Sequence, residues 1–392
     1  MPTVAVAQSA LRGREGGNDG PSGRGDLVQE ALRTGSTMKI RESIASMSGY
    51  VPGEQPRDRR YIKLNTNENP YPPSPRIEAA LRSLDTNRLR LYPDPVCTEL
   101  REAAGHLFGF GPEWVLAGNG SDDLLTIAVR TAVDQGGFLA CPDPSYSLYP
   151  ILAAIQGATC VTIPLGDQFE LPDDVLARAE GASLLFIARP NAPTGNVFPV
   201  ADIERVCAAF PGIVWVDEAY VDFSADHCVG LVSRFDNVVV SRTLSKSYSL
   251  AGIRLGWAYA NPGLIAEMMK VKDSYSVNML TQALGVEALR DTEYMRAQAA
   301  RIRATRTWVS AQLTELGFDV LPSEANFVFA APPRPAADVF VALRERGVLV
   351  RYFAQPRVDR YLRVTIGTDE DMSAFMAAIK DILNHAGGSS DN

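Results

Sequence analysis

The sequence predicts an α/β protein in which a mostly parallel sheet is covered by helices on both faces and is followed by a smaller α+β unit. Two observations support this class. Between residues 75 and 305, short uninterrupted apolar runs alternate with helical patterns, and such runs are typical of parallel strands that are buried on both faces. Beyond residue 305, strand-like runs lie on both sides of one helical segment and precede a last helix, which indicates a second sheet.

Seven apolar runs are the predicted strands of the large sheet: "WVLAGNG", "GFLACPDPSY", "ATCVTIPL", "ASLLFIARPNAPTG", "GIVWVDEAY", "NVVVSRTLS" and "LGWAYA". The first run leads into "SDDLLTIAVRTAV", which we predict to be a helix capped by Ser121 or Asp122. Ligands of parallel sheets bind at the carboxyl ends of the strands. The polar ends of these runs are therefore the candidate functional region.

The chain divides into four predicted segments. Residues 1–37 hold seven glycines, four arginines and four acidic residues without a sustained apolar period, so we expect a disordered head that is not a secretory signal. Residues 38–74 are predicted to form an arm that joins the small domain. We predict a large domain over residues 75–305 and a small carboxyl-terminal domain over residues 306–392.

Composition restricts the class of function. Of the 392 residues, 46% are hydrophobic and 21% are charged, as is ordinary for a soluble enzyme. The net charge of −8 argues against binding to nucleic acid or to an anionic membrane surface, and no run approaches the roughly 18 apolar residues of a membrane helix. The five cysteines and three histidines show no metal-ligand spacing, so we expect reduced cysteines in the cytoplasm and no metal.

Several strand ends carry candidate ligand-binding groups. Asp217 follows the apolar run "IVWV", and Asn191 lies in "RPNAPTG". Gly120, Ser121 and Asp122 begin a predicted helix whose free backbone amides are suited to a phosphate. Each of these residues, taken alone, also has an ordinary explanation as a turn or helix-cap residue.

The most unusual residue is Lys246, which lies between two serines in "SRTLSKSYSLAGIRLGW" and is followed eight residues later by Arg254. A lysine that reacts as an amine must be partly deprotonated near neutral pH. Burial and a second nearby cation both favour the neutral form. The setting of Lys246 therefore indicates a reactive amine.

One cofactor accounts for these residues together. Pyridoxal phosphate needs a lysine to bind its aldehyde and an acid to keep its pyridine nitrogen protonated. It also needs hydrogen bonds to its phenolic oxygen, a ring to stack on and a phosphate site. The joint occurrence of such groups predicts an enzyme that depends on pyridoxal phosphate.

The same residues lie in motifs that resemble a known family. The motifs "NTNENPYPPSP", "LYPDP", "GNGSDD", "PDPSYSLY", "RPNAPTGN", "VDEAYVDF", "SRTLSKSYSLAGIRLGW" and "LRVTIGTDED" are similar to those of the class II aminotransferases of fold type I. The resemblance extends from about residue 44 to the last predicted helix. It implies the fold-type I transferase fold, a homodimer with shared active sites, and transamination by ping-pong chemistry.

The resemblance also implies roles for individual residues. Lys246 would hold the cofactor covalently and later move the proton between Cα and C4′, and Asp217 would pair with the pyridine nitrogen. Tyr220 and Asn191 would hydrogen-bond the phenolic oxygen, and Tyr146 would stack on the ring. The cofactor's phosphate would be bound by Gly120, Ser121, Asp122, Thr243, Ser245 and Arg254, together with Tyr92 reaching across from the partner subunit.

Substrate residues follow from the same resemblance. Arg363 in "YLRVTIG" would take an α-carboxylate in a bidentate fork, whereas Arg351 and Tyr50 would meet a substrate phosphate beside Asn191. The similarity is greatest to members that act on histidinol phosphate in histidine biosynthesis. They exchange its amino group with 2-oxoglutarate and form imidazole acetol phosphate and glutamate.

Several alternatives are compatible with part of this pattern. An aromatic amino-acid aminotransferase or a threonine-phosphate decarboxylase of the same fold would use the same lysine, aspartate and phosphate site. A DNA-binding regulator would need a larger and more basic module ahead of residue 38. A dinucleotide-binding dehydrogenase would need the third glycine that "GNGSDD" lacks.

Overall fold

The computed structural model describes residues 39–384, so the predicted disordered head, residues 1–37, lies outside the described residues. The strands are β1 (Ile62–Lys63), β2 (Val115–Gly118), β3 (Phe138–Asp143), β4 (Thr159–Pro164), β5 (Leu184–Ala188), β6 (Ile213–Asp217), β7 (Val238–Thr243), β8 (Gly256–Ala260), β9 (Asp319–Val320), β10 (Phe327–Ala331), β11 (Val348–Leu349), β12 (Arg351–Tyr352) and β13 (Leu362–Thr365). The α-helices are α1 (Glu42–Ala45), α2 (Pro75–Ser83), α3 (Thr98–His106), α4 (Ser121–Ala132), α5 (Leu148–Gln156), α6 (Val175–Arg178), α7 (Val200–Ala209), α8 (Pro262–Val271), α9 (Met279–Leu289), α10 (Thr292–Glu315), α11 (Ala336–Glu345) and α12 (Asp369–Asn384).

The large sheet has seven strands in the order β2-β8-β7-β6-β5-β3-β4. Strands β7, β6, β5, β3 and β4 pair in parallel, whereas β8 runs antiparallel to both β2 and β7. Every residue of β5, β7 and β8 is buried, which explains why these strands read as uninterrupted apolar runs. The predicted mostly parallel sheet with helices on both faces is confirmed.

Packing on the two faces of the sheet follows the alternation of side chains along a strand. In β6, Trp215 packs on one face with Leu124 of α4 and Met268 of α8. Its neighbours Val214 and Val216 pack in the larger apolar cluster on the other face. Burial on both faces holds the ends of the central strands in fixed positions, so side chains at these ends are held in fixed positions too.

The smaller sheet has the order β12-β13-β10-β9, and all of its pairs are antiparallel. The segment ahead of the large sheet contributes β1, which pairs in parallel with β11. The predicted boundary between residues 305 and 306 falls inside the continuous helix α10. No helix within residues 39–384 combines the length and apolar character needed to cross a membrane.

The start of α4 differs from the prediction. The N-cap residue is Gly120, and no side chain makes a capping hydrogen bond, so the expected cap by Ser121 or Asp122 is wrong. The reason is the backbone conformation: Gly120 has a φ of +90°, which favours glycine, and a Cβ there would also lie 2.8 Å from Nη2 of Arg254. A glycine at this position lets the first amides of the helix lie beside a guanidinium group.

Candidate active site

The residues singled out by the sequence lie after the carboxyl ends of several parallel strands. Gly120 follows β2, Tyr146 follows β3 and Asn191 follows β5, while Asp217 is the last residue of β6 and Lys246 follows β7. Because β5, β6 and β7 are adjacent and parallel, their ends meet at one edge of the sheet. This is the position where such sheets bind ligands.

Asp217 is a buried carboxylate, with 5% of the residue exposed. The hydroxyl of Tyr149 donates to its Oδ2 at 3.1 Å, and that of Ser241 donates to its Oδ1 at 3.3 Å. Within residues 39–384, no lysine or arginine forms an ion pair with it. Burial raises the pKa of Asp217 to about 6, although the hydrogen bonds from Tyr149 and Ser241 oppose the shift. A buried carboxylate without a cation suits a positively charged ligand atom.

This raised pKa predicts a pH effect on the cofactor-free protein. As pH rises from about 4 to 6, Asp217 loses its proton in the unfolded chain before it does so in the folded chain, so the free energy of unfolding falls. The rise in the pKa of Asp217 from its ordinary value of 3.8 to about 6 corresponds to roughly 3 kcal/mol in the free energy of unfolding. Between pH 4.5 and 7, urea unfolding should show roughly 2 kcal/mol of this fall in the wild type relative to Asp217→Asn. An identical pH dependence in both proteins would contradict the assignment.

A candidate anion site lies at the start of α4. Nη2 of Arg254 is 3.5 Å from Oδ2 of Asp122, and its Nη1 donates to the hydroxyl of Ser245 at 3.4 Å. That hydroxyl also accepts from Thr243 at 3.0 Å. The structure thus brings together the residues predicted to bind a phosphate: Gly120, Ser121, Asp122, Thr243, Ser245 and Arg254. Free helix amides, hydroxyls and a guanidinium group form a donor set that fits a phosphate.

The loop that carries Lys246 is fixed through its backbone. Nδ2 of Asn69 donates to the carbonyl oxygens of Lys246 and Ser247, both at 3.1 Å. The hydroxyl of Ser247 donates to Asp222, which also receives a hydrogen bond from the buried Arg242 at 3.2 Å. In the described chain the amine of Lys246 itself makes no hydrogen bond or ion pair, and it lies 5.6 Å from the centre of a neighbouring aromatic ring. The backbone of Lys246 is therefore held in place, whereas its amine is free to react.

That ring is Tyr220, whose hydroxyl accepts a hydrogen bond from Nδ2 of Asn67 at 2.9 Å. Asn191 is fully buried, and its amide donates to the carbonyl oxygen of Pro144 at 2.9 Å and to Thr194 at 2.7 Å. A hydrogen bond from Asn191 to a ligand would therefore have to replace one of these two bonds.

Tyr146 lies beside the anion site. Its hydroxyl donates to Oδ1 of Asp122 at 3.1 Å, and its ring meets the edges of Tyr149 and Tyr50 with centroid separations of 5.6 and 6.1 Å. Burial raises the pKa of Tyr146 above its ordinary value, so its hydroxyl stays protonated and can donate. Tyr50 is thereby placed at the mouth of the same site.

Two arginines face each other on the smaller sheet. Arg351 in β12 is directly paired with Arg363 in β13, and within residues 39–384 neither has a carboxylate partner. The buried Nε of Arg363 has no hydrogen-bond partner, and burial together with the charge of Arg351 lowers the pKa of Arg363. Like charges directly opposite each other destabilise a strand pair, so this arrangement suits an anionic ligand.

Tyr92 is placed differently from the other predicted residues. It is 79% exposed and stacks on Tyr275 with a centroid separation of 4.5 Å. No hydrogen bond, ion pair or ring contact in the described chain links it to the residues around Lys246. Its predicted role requires a second chain.

Three residues of the site were missed by the sequence reasoning. Tyr149 lies three positions after Tyr146, at the start of α5, and Ser241 interrupts the apolar run "VVVSR"; both contact Asp217. The third is Asn67, in the motif "NTNEN". A polar residue inside an apolar strand was the available signal for Ser241, whereas the contacts of Asn67 depend on long-range packing.

Comparison with known proteins defines the class. Residues 59–379 match the family model described as aminotransferase class I and II, and the chain belongs to this family. It is 47% identical over 351 residues to the histidinol-phosphate aminotransferase of Synechocystis sp., covering 89% of this chain and 100% of that protein. The corresponding enzyme of Rippkaea orientalis is 45% identical over 346 residues, with 88% and 99% covered. The predicted family resemblance is confirmed.

Solved structures agree on the fold. The histidinol-phosphate aminotransferase from Sinorhizobium meliloti, in complex with pyridoxal-5'-phosphate, superimposes with a TM-score of 0.82 at 24% identity, covering 90% of this chain and 99% of that chain. N-succinyldiaminopimelate aminotransferase from Mycobacterium tuberculosis gives a TM-score of 0.73 at 26% identity, with 81% and 92% covered. The predicted fold-type I transferase architecture is confirmed.

Proposed function

We propose that this aminotransferase uses pyridoxal phosphate to exchange an amino group between histidinol phosphate and 2-oxoglutarate, as a step of histidine biosynthesis. Besides the relatives described above, one structural observation supports this substrate most directly. The unpaired arginines Arg351 and Arg363 lie opposite each other and form a doubly cationic site. Such a site suits a substrate phosphate in one half-reaction and the carboxylates of glutamate in the other.

The site fits the cofactor in its donor chemistry. Among residues 39–384, Asp217 has no cationic partner and the amine of Lys246 has no hydrogen-bond partner, and the start of α4 presents backbone amides beside Arg254 that suit an anion. When bound, pyridoxal phosphate withdraws electrons from the Cα of an attached amino compound and so weakens its Cα–H bond.

Each residue of the site has its own role in the reaction. Lys246 would hold the cofactor covalently and, once displaced by the incoming amine, would take the proton from Cα and deliver it to C4′ through its Nζ. Asp217 keeps the pyridine nitrogen protonated. Tyr220 would hydrogen-bond the phenolic oxygen, as would Asn191 in place of its bond to Pro144 or Thr194, and Tyr146 would stack on the ring.

We also propose that the protein works as a homodimer in the cytoplasm. Tyr92 is exposed, as are its sequence neighbours Leu89 and Leu91 and the ring of Tyr275 that it stacks on, and burial of exposed apolar side chains in a partner favours association. The role that the family resemblance implies for Tyr92 requires such a second chain, whose Tyr92 would reach the phosphate site of this one. The five cysteines are free thiols, which supports a reducing location.

The proposed substrate is tested by paired arginine variants. Arg351→Ala should lower kcat/KM for histidinol phosphate by roughly 30- to 1,000-fold, because loss of a charge-assisted contact to a phosphate typically costs about 2–4 kcal/mol. Phenylalanine, whose carboxylate is assigned to Arg363, should lose much less. Arg363→Ala should show the reverse preference and impair glutamate strongly.

The measurement is kcat/KM for histidinol phosphate, phenylalanine and glutamate in both variants. Arg346→Ala is a matched control, because Arg346 pairs with Asp381 on α12 and should leave all three substrates unchanged. Equal losses for the three substrates in Arg351→Ala would exclude the role proposed for that residue.

A further inference from the structure

We propose that Asn67 is a positioning residue that directs the hydroxyl hydrogen of Tyr220 toward the cofactor and ties it to the strand that carries Arg363. This inference rests on the role proposed above for Tyr220. Asn67 itself is 1% exposed and is assigned no contact with substrate or cofactor.

Every polar group of Asn67 has a partner. Its backbone N–H donates to the hydroxyl oxygen of Thr365 at 3.0 Å, and that hydroxyl donates back to Oδ1 of Asn67, also at 3.0 Å. Its carbonyl oxygen accepts from Nδ2 of Asn326 at 3.0 Å. The remaining group, Nδ2, donates to the hydroxyl oxygen of Tyr220 at 2.9 Å.

The bond with Thr365 determines which amide atom faces the tyrosine. The hydroxyl of Thr365 accepts from the backbone N–H of Asn67 and donates its own hydrogen to Oδ1 of the same residue. Oδ1 is thereby the acceptor end of the amide, and the donor end must face Tyr220. A tyrosine oxygen that accepts from Nδ2 cannot direct its hydrogen at Asn67, so that hydrogen is available to a ligand.

The backbone conformation of Asn67 makes this arrangement specific. Its φ is +56°, in the left-handed region that asparagine tolerates better than most residues other than glycine. A buried residue held in this region marks a position that the surrounding structure determines. Glycine is therefore the replacement that removes the side chain without adding backbone strain.

The segment around Asn67 connects both halves of the site. Nη2 of Arg363 donates to the carbonyl oxygen of Asn65 at 3.1 Å, and Asn69 donates to the carbonyl oxygens of the lysine loop, including that of Lys246. One short stretch of chain thus contacts the proposed carboxylate-binding arginine, the tyrosine and the lysine loop. A ligand that moves Arg363 would act on Tyr220 through Asn67.

The test uses the purified enzyme with bound cofactor and follows the midpoint pH of the visible absorbance change that accompanies cofactor deprotonation. A donor to the phenolic oxygen favours the deprotonated form, so Tyr220→Phe should raise the midpoint. Asn67→Gly should raise the midpoint by about 0.5–1 pH unit. The double variant Asn67→Gly/Tyr220→Phe should have a midpoint no higher than that of Tyr220→Phe alone. Thr365→Val, which removes the hydroxyl that orients the amide, should produce a smaller rise.

Thr66→Ala is the matched control in the same segment, because the hydroxyl of Thr66 bonds Glu68 outside this network, and it should leave the midpoint unchanged. Melting temperatures recorded in parallel separate folding from positioning. An unchanged midpoint in both Asn67→Gly and Thr365→Val, or fully additive shifts in the double variant, would overturn the inference. If Tyr220→Phe causes no shift, the proposed role of Tyr220 fails as well, whereas a shift in Tyr220→Phe alone would reject only the role of Asn67.

Discussion

Lys246→Ala is expected to abolish the visible absorbance of the bound cofactor and to lower turnover by at least roughly 10³-fold, a loss typical of removing a positioned general base. Two functions are lost together, because the same Nζ holds the cofactor and moves the proton at Cα. The other strand ends at this edge present the carboxylate of Asp217 and the amide of Asn191, neither of which can replace an amine. Absorbance after desalting and steady-state rates measure the two losses separately.

A matched control is Lys270→Ala, because Lys270 is an exposed lysine of α8 that pairs with Glu267. This variant should keep both the absorbance and the rate. Borohydride reduction followed by mass spectrometry of peptides should place the cofactor's mass on Lys246 in the wild type. Full activity in Lys246→Ala would disprove the assignment of the cofactor.

Asp217→Ala is expected to keep the cofactor bound to Lys246 but to lower turnover by orders of magnitude. Without the buried carboxylate the pyridine nitrogen loses its proton, and the loss of transition-state stabilisation amounts to about 3–4 kcal/mol. Asp217→Asn should behave similarly while retaining the shape of the site, since an amide cannot stabilise a cation as a carboxylate does.

The comparison variant is Asp236→Asn. Asp236 is an exposed carboxylate that accepts a hydrogen bond from Asn261, and it lies just before the amino end of β7, whereas Lys246 follows the carboxyl end. Steady-state rates and cofactor absorbance should be those of the wild type. An Asp217→Ala enzyme within threefold of wild-type turnover would mean that Asp217 is only a turn residue.

The sequence was sufficient where local pattern determines structure. Seven apolar runs became seven strands, and the parallel arrangement of β5, β6 and β7 follows from their burial on both faces. The ends of these strands carry Asn191, Asp217 and Lys246, so the approximate location of the site followed from the rule that parallel sheets bind ligands at their carboxyl ends.

The sequence was insufficient where contacts depend on long-range register or packing. The pairing of Arg351 with Arg363 requires the alignment of β12 with β13, which neither strand encodes alone. The bond between Asn67 and Tyr220 joins residues 153 positions apart. The helix-cap prediction at Ser121 failed because the turn into α4 gives residue 120 a φ of +90°, a conformation that favours glycine and makes Gly120 the N-cap residue.

The central claim is that a phosphorylated amino compound is the substrate of this site. Its most direct test is kcat/KM of the wild-type enzyme for histidinol phosphate and for phenylalanine, each with 2-oxoglutarate as the acceptor. We expect histidinol phosphate to be preferred by at least roughly 30-fold, the value assigned to the phosphate contact with Arg351. An enzyme that is indifferent to histidinol phosphate but fast with phenylalanine would contradict the proposed substrate and leave an aminotransferase of aromatic amino acids.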